Sequence, residues 1–113
     1  MSAITTHILD ISRGKPASGV PVVLEYEQGG EWREIGRGRT DEDGRLKDLL
    51  AADFNLAAGT YRLTFDTSSY FSAQSTESFY PKVTVTFVVR EAAQHYHVPL
   101  LLSPYGYSTY RGS

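Results

Sequence analysis

The stretch that most limits what this chain can become is Val83-Thr84-Val85-Thr86-Phe87-Val88-Val89, set between Lys82 and Arg90. Val83, Val85, Phe87 and Val89 fall on every second position, the period of a strand with one buried face. Such a strand needs partners of the same kind, and the rest of the chain offers them. Ile4 to Ile11 is rich in β-branched residues and ends at a loop, Ser12 to Gly19. Val20 to Glu27 follows, with Pro21 confined to its start because proline cannot donate to a ladder. Gln28-Gly29-Gly30-Glu31 predicts a tight hairpin turn into a strand over Trp32 to Arg39, whose glycines weaken it or admit another backbone closely. Thr40-Asp41-Glu42-Asp43-Gly44 is a turn, with aspartates able to bond their own backbone and Gly44 free to take positive φ.

Leu46 begins a short edge strand or an irregular segment. Leu49 to Phe54 is ambiguous, because its alanines favour helix while nothing sustains a helical period. Tyr61, Leu63 and Phe65 share one face of a strand opened by Gly59-Thr60. Ser68 to Gln74 predicts one short helix, capped by a serine hydroxyl. Two last strands meet at Ser103-Pro104-Tyr105-Gly106, with Pro99 inside the first of them, where a ring is expected only at a bulge or where no ladder bond is lost. Seven or eight short strands separated by turns predict a mainly β fold, a β-sandwich.

At 113 residues, the length suits one domain, residues 1–113. A net charge of −2 leaves no basic field for phosphate backbones, so nucleic acid is not an expected partner. Apolar runs such as Val98 to Leu102 fall far short of the roughly 20 residues of a spanning helix, so no membrane is expected. The absence of cysteine excludes a disulfide framework, thiolate metal sites and a cysteine nucleophile. Met1-Ser2-Ala3-Ile4-Thr5 carries no basic segment followed by an apolar core, so no secretory leader is expected and a cytoplasmic location is.

Titratable and aromatic groups crowd into the last nineteen residues, where most chains fray. His95 and His97 face one side of a strand if the period of two holds, and each alone reads equally as a surface or hydrogen-bonded histidine. Together they also make half of a zinc site that His7 or a carboxylate would complete. His7, between Thr6 and Ile8, is an odd choice for a packing position, although a hydrogen-bonded core or edge histidine accounts for it. Arg45 after the Gly44 turn is, taken alone, an ordinary solvated side chain, and a calcium reading of that turn lacks further ligands. Tyr107, Thr109, Arg111 and Ser113 share one face by alternation, and Tyr105, Tyr107 and Tyr110 have the character of buried interface area.

The run from Tyr96 to Ser113, ending Tyr110-Arg111-Gly112-Ser113, resembles the C-terminal signature of the transthyretin-related 5-hydroxyisourate hydrolases. Thr5-Thr6-His7-Ile8-Leu9-Asp10 and Arg39-Thr40-Asp41-Glu42-Asp43-Gly44-Arg45 match in the same order, so the resemblance covers nearly the whole chain. It implies a transthyretin-like sandwich of two four-stranded sheets with one short helix. It also implies hydrolysis of 5-hydroxyisourate to 2-oxo-4-hydroxy-4-carboxy-5-ureidoimidazoline, with no metal or cofactor. His7, Arg45, His97 and Ser113 are then catalytic, and Tyr110, Arg111 and Gly112 bind substrate; His95 is outside that set and is taken as structural or peripheral. One histidine activates water while the other orients it or holds the substrate, and Arg45 stabilises the developing charge. A homotetramer, a dimer of dimers, is implied, with active sites at the dimer–dimer interface where the hormone carrier binds its ligand. Two other readings stand beside it. A transthyretin-type carrier leaves the histidines, Arg45 and the Tyr-Arg-Gly-Ser ending unexplained, and a non-catalytic interaction module accounts for little beyond the strand count and the Asp-Gly turn.

Overall fold

A computed structural model describes residues 2–51 and 53–113. Among the described residues nine strands and one helix follow one another: β1 (Ile4–Asp10), β2 (Lys15–Pro16), β3 (Pro21–Gln28), β4 (Glu31–Arg39), β5 (Arg45–Leu46), β6 (Gly59–Phe65), α1 (Thr67–Ser72), β7 (Val83–Val89), β8 (Tyr96–Ser103) and β9 (Gly106–Thr109). They form two sheets. One has the order β4-β3-β6-β7; the other runs β2-β1-β8-β9, and β5 also pairs with β1. The second sheet therefore carries five strands rather than four, because two segments of two residues each close on β1.

The alternation read from sequence sets the two faces. Ile4 and Ile8 from β1 and Val98, Leu100 and Leu102 from β8 pack against Val22 and Leu24 from β3, Tyr61, Leu63 and Phe65 from β6, and Val83 and Val89 from β7. All are buried. At about 1.5 to 3 kcal/mol for each large side chain taken from water, this layer is the main source of stability.

The turns follow their chemistry. Gly29 and Gly30 join β3 to β4 with φ of +61° and +83°, the paired positive values of a two-residue hairpin whose twist matches its strands. Gly36 on β4 lets another backbone in: a Cβ there would lie 1.9 Å from the carbonyl oxygen of Leu49. The segment from Leu49 to Phe54 forms no helix among its described residues, and Ala52 lies outside them. The helix begins one residue earlier than expected and its cap differs. Asp66, not a serine, accepts a hydrogen bond from the Ser69 N–H at 3.0 Å, a carboxylate immediately before the first turn being the stronger acceptor. Tyr70 ties the helix to β1 by donating to Asp10 Oδ2 at 2.7 Å.

β8 is the central strand of its sheet, parallel to β1 and antiparallel to β9. Its ladder with β9 stops at Leu100–Thr109 and resumes only as the single bridge His97–Gly112. The same register places Pro99 opposite Tyr110, so the ring sits where a ladder bond is lost, contrary to expectation. The last strand is released at that point. Thr109 compensates in part, its hydroxyl donating to the Pro99 carbonyl at 2.7 Å.

Candidate active site

The outer face of the β1–β8 pair gathers the polar residues. Register pairs Thr5 with His97 and His7 with Pro99, and on the other edge of β1 pairs His7 with Arg45. Since paired residues point to the same side, Thr5, His7, Arg45 and His97 all turn away from the core.

Arg45 is delivered there by its turn. Asp41 Oδ1 accepts hydrogen bonds from the N–H groups of Asp43 and Arg45 at 2.9 and 3.0 Å, and the Asp41 N–H donates to the Arg45 carbonyl at 2.9 Å. The Arg45 N–H, foremost among these contacts, holds the Asp41 carboxyl below its ordinary value. Gly44, at φ +73°, accepts a hydrogen bond on its carbonyl oxygen from the Ile8 N–H at 2.8 Å, which seats the turn on β1. The sequence requirement for Asp41 and Gly44 is thus a requirement on where Arg45 stands.

A cleft of about 200 Å³ opens on this face, with Thr5, Arg45, Lys47, His95, His97 and Ser113 among its walls. His97 is half-buried in it. Its Nδ1 is 2.8 Å from the Thr5 hydroxyl, which also lies 3.1 Å from His95 Nε2. The two imidazoles stack with centroids 6.5 Å apart and planes inclined by 18°. Burial pushes the His97 pKa down, and the neighbouring Arg45, His95 and His7 push it the same way, so the ring is able to accept a proton near pH 7. Gly112 lies against the ring. Its N–H donates to the His97 carbonyl at 2.8 Å, and a Cβ there would meet His97 Cδ2 at 2.7 Å and Pro99 Cγ at 3.1 Å.

Of the residues expected in the site, His97, Arg45 and Ser113 share this cleft, and Gly112 touches the His97 ring. His7 is on the same face but does not wall the cleft; it stands two residues beyond Thr5, roughly 6.6 Å along the strand. Arg111 faces elsewhere. Its guanidinium lies over the Tyr96 ring, 4.5 Å from the centroid, and donates to Gln94 Oε1 at 2.9 Å. Tyr110 and Arg111 border a second cleft of about 260 Å³, with Val85, Phe87 and Tyr96 on its mainly apolar walls. The expected shared face of Arg111 and Ser113 is therefore not kept, because the chain leaves strand geometry after Thr109.

Four residues of the cleft lie outside the expected set: Thr5, Thr6, Lys47 and His95. His95, expected to be structural or peripheral, is joined to His97 through Thr5. The i, i+2 spacing of the histidines carried that signal, and the threonine was hidden because its partner strand is 92 residues away. The zinc set weighed for these histidines is not assembled: among the described residues no three His, Cys, Asp or Glu side chains converge in a way that would hold a metal ion.

The geometry can be set beside known proteins. A probable 5-hydroxyisourate hydrolase of Caenorhabditis elegans is 52% identical over 112 residues, covering 99% of this chain and 82% of that protein. The structure of Klebsiella pneumoniae 5-hydroxyisourate hydrolase superposes with a TM-score of 0.84 at 39% identity, covering 97% of this chain and 98% of that one. Sea bream transthyretin in complex with thyroxine superposes with a TM-score of 0.91 at 33% identity, over 98% and 95%. Backbone likeness thus ranks the thyroxine complex above the hydrolase, and sequence identity ranks them the other way. Residues 4–112 match the profile of the HIUase/Transthyretin family, and the chain belongs to that family.

Proposed function

We propose that this chain is a 5-hydroxyisourate hydrolase of urate degradation, acting as one domain over residues 1–113 and opening the six-membered ring of its substrate to give 2-oxo-4-hydroxy-4-carboxy-5-ureidoimidazoline. The observation that carries the reading is His97 half-buried in one cleft with Arg45, where burial pushes its pKa down. The 52% identity to a probable hydrolase supports it, and a side-chain argument outweighs the closer backbone fit to a carrier, because one fold hosts both functions.

Hydrolysis of a cyclic amide needs a base for water, a donor for the oxyanion and groups that fix a flat heterocycle. His97 takes the proton from water, and its depressed pKa leaves it unprotonated for that task. Arg45 binds the urate-like carbonyls and stabilises charge as the tetrahedral centre forms, with Lys47 adding to the field. His7 orients water or holds the ring. Ser113 positions water or substrate through its hydroxyl or a terminal carboxylate.

Tyr110, Arg111 and Gly112 belong to substrate binding, Gly112 by its approach to His97 and the other two within a homotetramer. That tetramer is a dimer of dimers with its active sites at the dimer–dimer interface. Edge strand β9 and the exposed Tyr107 and Tyr110 supply surface for such an assembly. The enzyme acts without metal, in the cytoplasm. No helix among the described residues is long and apolar enough to cross a membrane.

The test generates 5-hydroxyisourate from urate with urate oxidase and follows its ultraviolet decay. Acceleration that survives EDTA is expected, together with its loss in folded, tetrameric His97→Asn and Arg45→Ala variants. Full activity in those variants, or a monomer by sedimentation equilibrium, would overturn the site. An inactive but folded tetramer that binds thyroxine would move the carrier reading to first place, the reading that the superposition on the sea bream complex favours.

A further inference from the structure

Thr5 is almost fully buried, at 3% exposure, yet its hydroxyl bridges two imidazoles, one half-buried and one exposed. A hydroxyl has one proton to give and lone pairs to accept. If it donates to His97 Nδ1 it accepts from His95 Nε2–H; if it donates to His95 Nε2 it accepts from His97 Nδ1–H. The hydroxyl gives its own proton to one ring while accepting from the other only when the two neutral rings are the same tautomer, both Nδ1–H or both Nε2–H. With His97 Nε2–H and His95 Nδ1–H both facing nitrogens are acceptors and one bond is unmade; with His97 Nδ1–H and His95 Nε2–H the hydroxyl accepts from both rings and its own proton has no ring to go to.

We propose that Thr5 relays a proton between His97 and His95, so that His97 serves first as base and then as acid in one turnover. The relay rests on the hydrolase reading above. At the start both rings are Nδ1–H, and His97 Nε2 presents its lone pair to the cleft. His97 Nε2 takes a proton from water as the hydroxide oxygen bonds to the substrate carbonyl carbon. The His97 Nδ1 proton passes to Thr5 Oγ1 while the Thr5 proton passes to His95 Nε2. His97 is then neutral with Nε2–H facing the substrate, and His95 carries the positive charge. His97 gives its Nε2 proton to the ring nitrogen as the carbon–nitrogen bond breaks, and the relay runs back from His95 Nε2 to restore both starting tautomers. The proton taken from water ends on the product nitrogen, so charge and atoms balance. The groups facing this path are His7 from β1, Arg45 and Lys47 from the β5 segment, His95 and His97 at β8, and Ser113. Burial and the Arg45 charge disfavour a proton on His97, and His95 is the more exposed of the two rings.

The experiment compares wild type with Thr5→Val, Thr5→Ser and His95→Gln. Valine keeps the shape and removes the hydroxyl. The expected result is a fall in kcat of about a hundredfold in Thr5→Val with KM changed by less than about twofold, and recovery in Thr5→Ser. His95→Gln is expected to lower kcat in the same way. Independently of turnover, ¹⁵N NMR of the imidazoles should show His95 and His97 as one shared tautomer in wild type and Thr5→Ser, and uncoupled in Thr5→Val. Opposite tautomers in wild type, or an active wild type with unimpaired Thr5→Val, overturn the relay alone. A folded wild type that does not accelerate substrate decay overturns the hydrolase reading beneath it.

Discussion

Gly112 is the residue whose side chain the site has least room for, and replacing it with alanine tests whether the tail's closeness to His97 matters. Carbon atoms settle at about 3.5 Å, so a methyl placed 2.7 Å from His97 Cδ2 must retreat by about 0.8 Å. Moving the tail by that amount stretches the bond from the Gly112 N–H to the His97 carbonyl from 2.8 Å to roughly 3.6 Å, at which length it no longer holds. The tail lies outside the core, so the loss is about 1 to 2 kcal/mol, or roughly 4 to 8 °C in melting temperature. Activity suffers more, because a displacement near 1 Å of a reacting group costs about a hundredfold. Gly106 supplies the control: a Cβ there meets only Ser103 Oγ at 3.7 Å, an ordinary contact, so Gly106→Ala should be neutral in both measurements. The assay is kcat/KM on 5-hydroxyisourate together with a thermal melt. If Gly112→Ala retains kcat/KM within about threefold of wild type, or if Gly106→Ala loses as much, the steric argument is wrong.

Gly36→Ala should be the most destabilising of the glycine variants, by about 3 kcal/mol or more in urea unfolding, since the methyl would meet the Leu49 carbonyl oxygen at 1.9 Å and neither backbone can yield cheaply. Tyr70→Phe should cost about 2 kcal/mol, by removing a donor from the fully buried Asp10 carboxylate. Burial raises the Asp10 pKa, but hydrogen bonds from Ser12, Tyr70 and Arg13 outweigh it and hold the group below 3.8; its stabilisation is present above that value and lost as pH falls through the folded pKa. The variant raises that folded pKa, so its acid unfolding, followed by circular dichroism, should begin at higher pH. His97 lies below the ordinary histidine value of 6.5, so its contribution is complete above pH 6.5 and is lost as pH falls through its folded pKa, and the acid limb of kcat/KM should lie below 6.5. Arg45→Ala removes one of the charges responsible and should move the NMR titration midpoint of His97 upward; an unmoved midpoint would exclude that coupling.

The strands were legible because their faces alternate cleanly. Val83 to Val89 and Tyr61 to Phe65 face the core as their period requires, and Gly29-Gly30 forms the hairpin that its composition demands. The cap on α1 was misread because the helix was started at Ser68, which left Asp66 outside it, whereas the helix begins at Thr67 and Asp66 takes the cap position. Arg45 and His97 were assigned through resemblance, since neither residue is unusual where it stands, and the structure brings them into one cleft. Thr5 could not be found that way: its role depends on a register between residues 92 apart, and no local pattern encodes that. Arg111 was assigned with its neighbours, but Pro99 interrupts the ladder and lets it turn onto Tyr96.

The parallel pairing of β1 with β8 also sets a timetable. Thr5 meets His97 only after the 92 residues between their positions have been added, about 5 to 18 s of synthesis. For that interval β1 lacks β8, its one long neighbour, and has beside it only the two-residue strands β2 and β5. The β4-β3-β6-β7 sheet is built from antiparallel neighbours closer in sequence and can assemble first, as the surface on which β1 waits. A nascent chain stalled before residue 96 would therefore hold a formed sheet and a β1 strand whose β8 edge is open, the combination that invites intermolecular pairing.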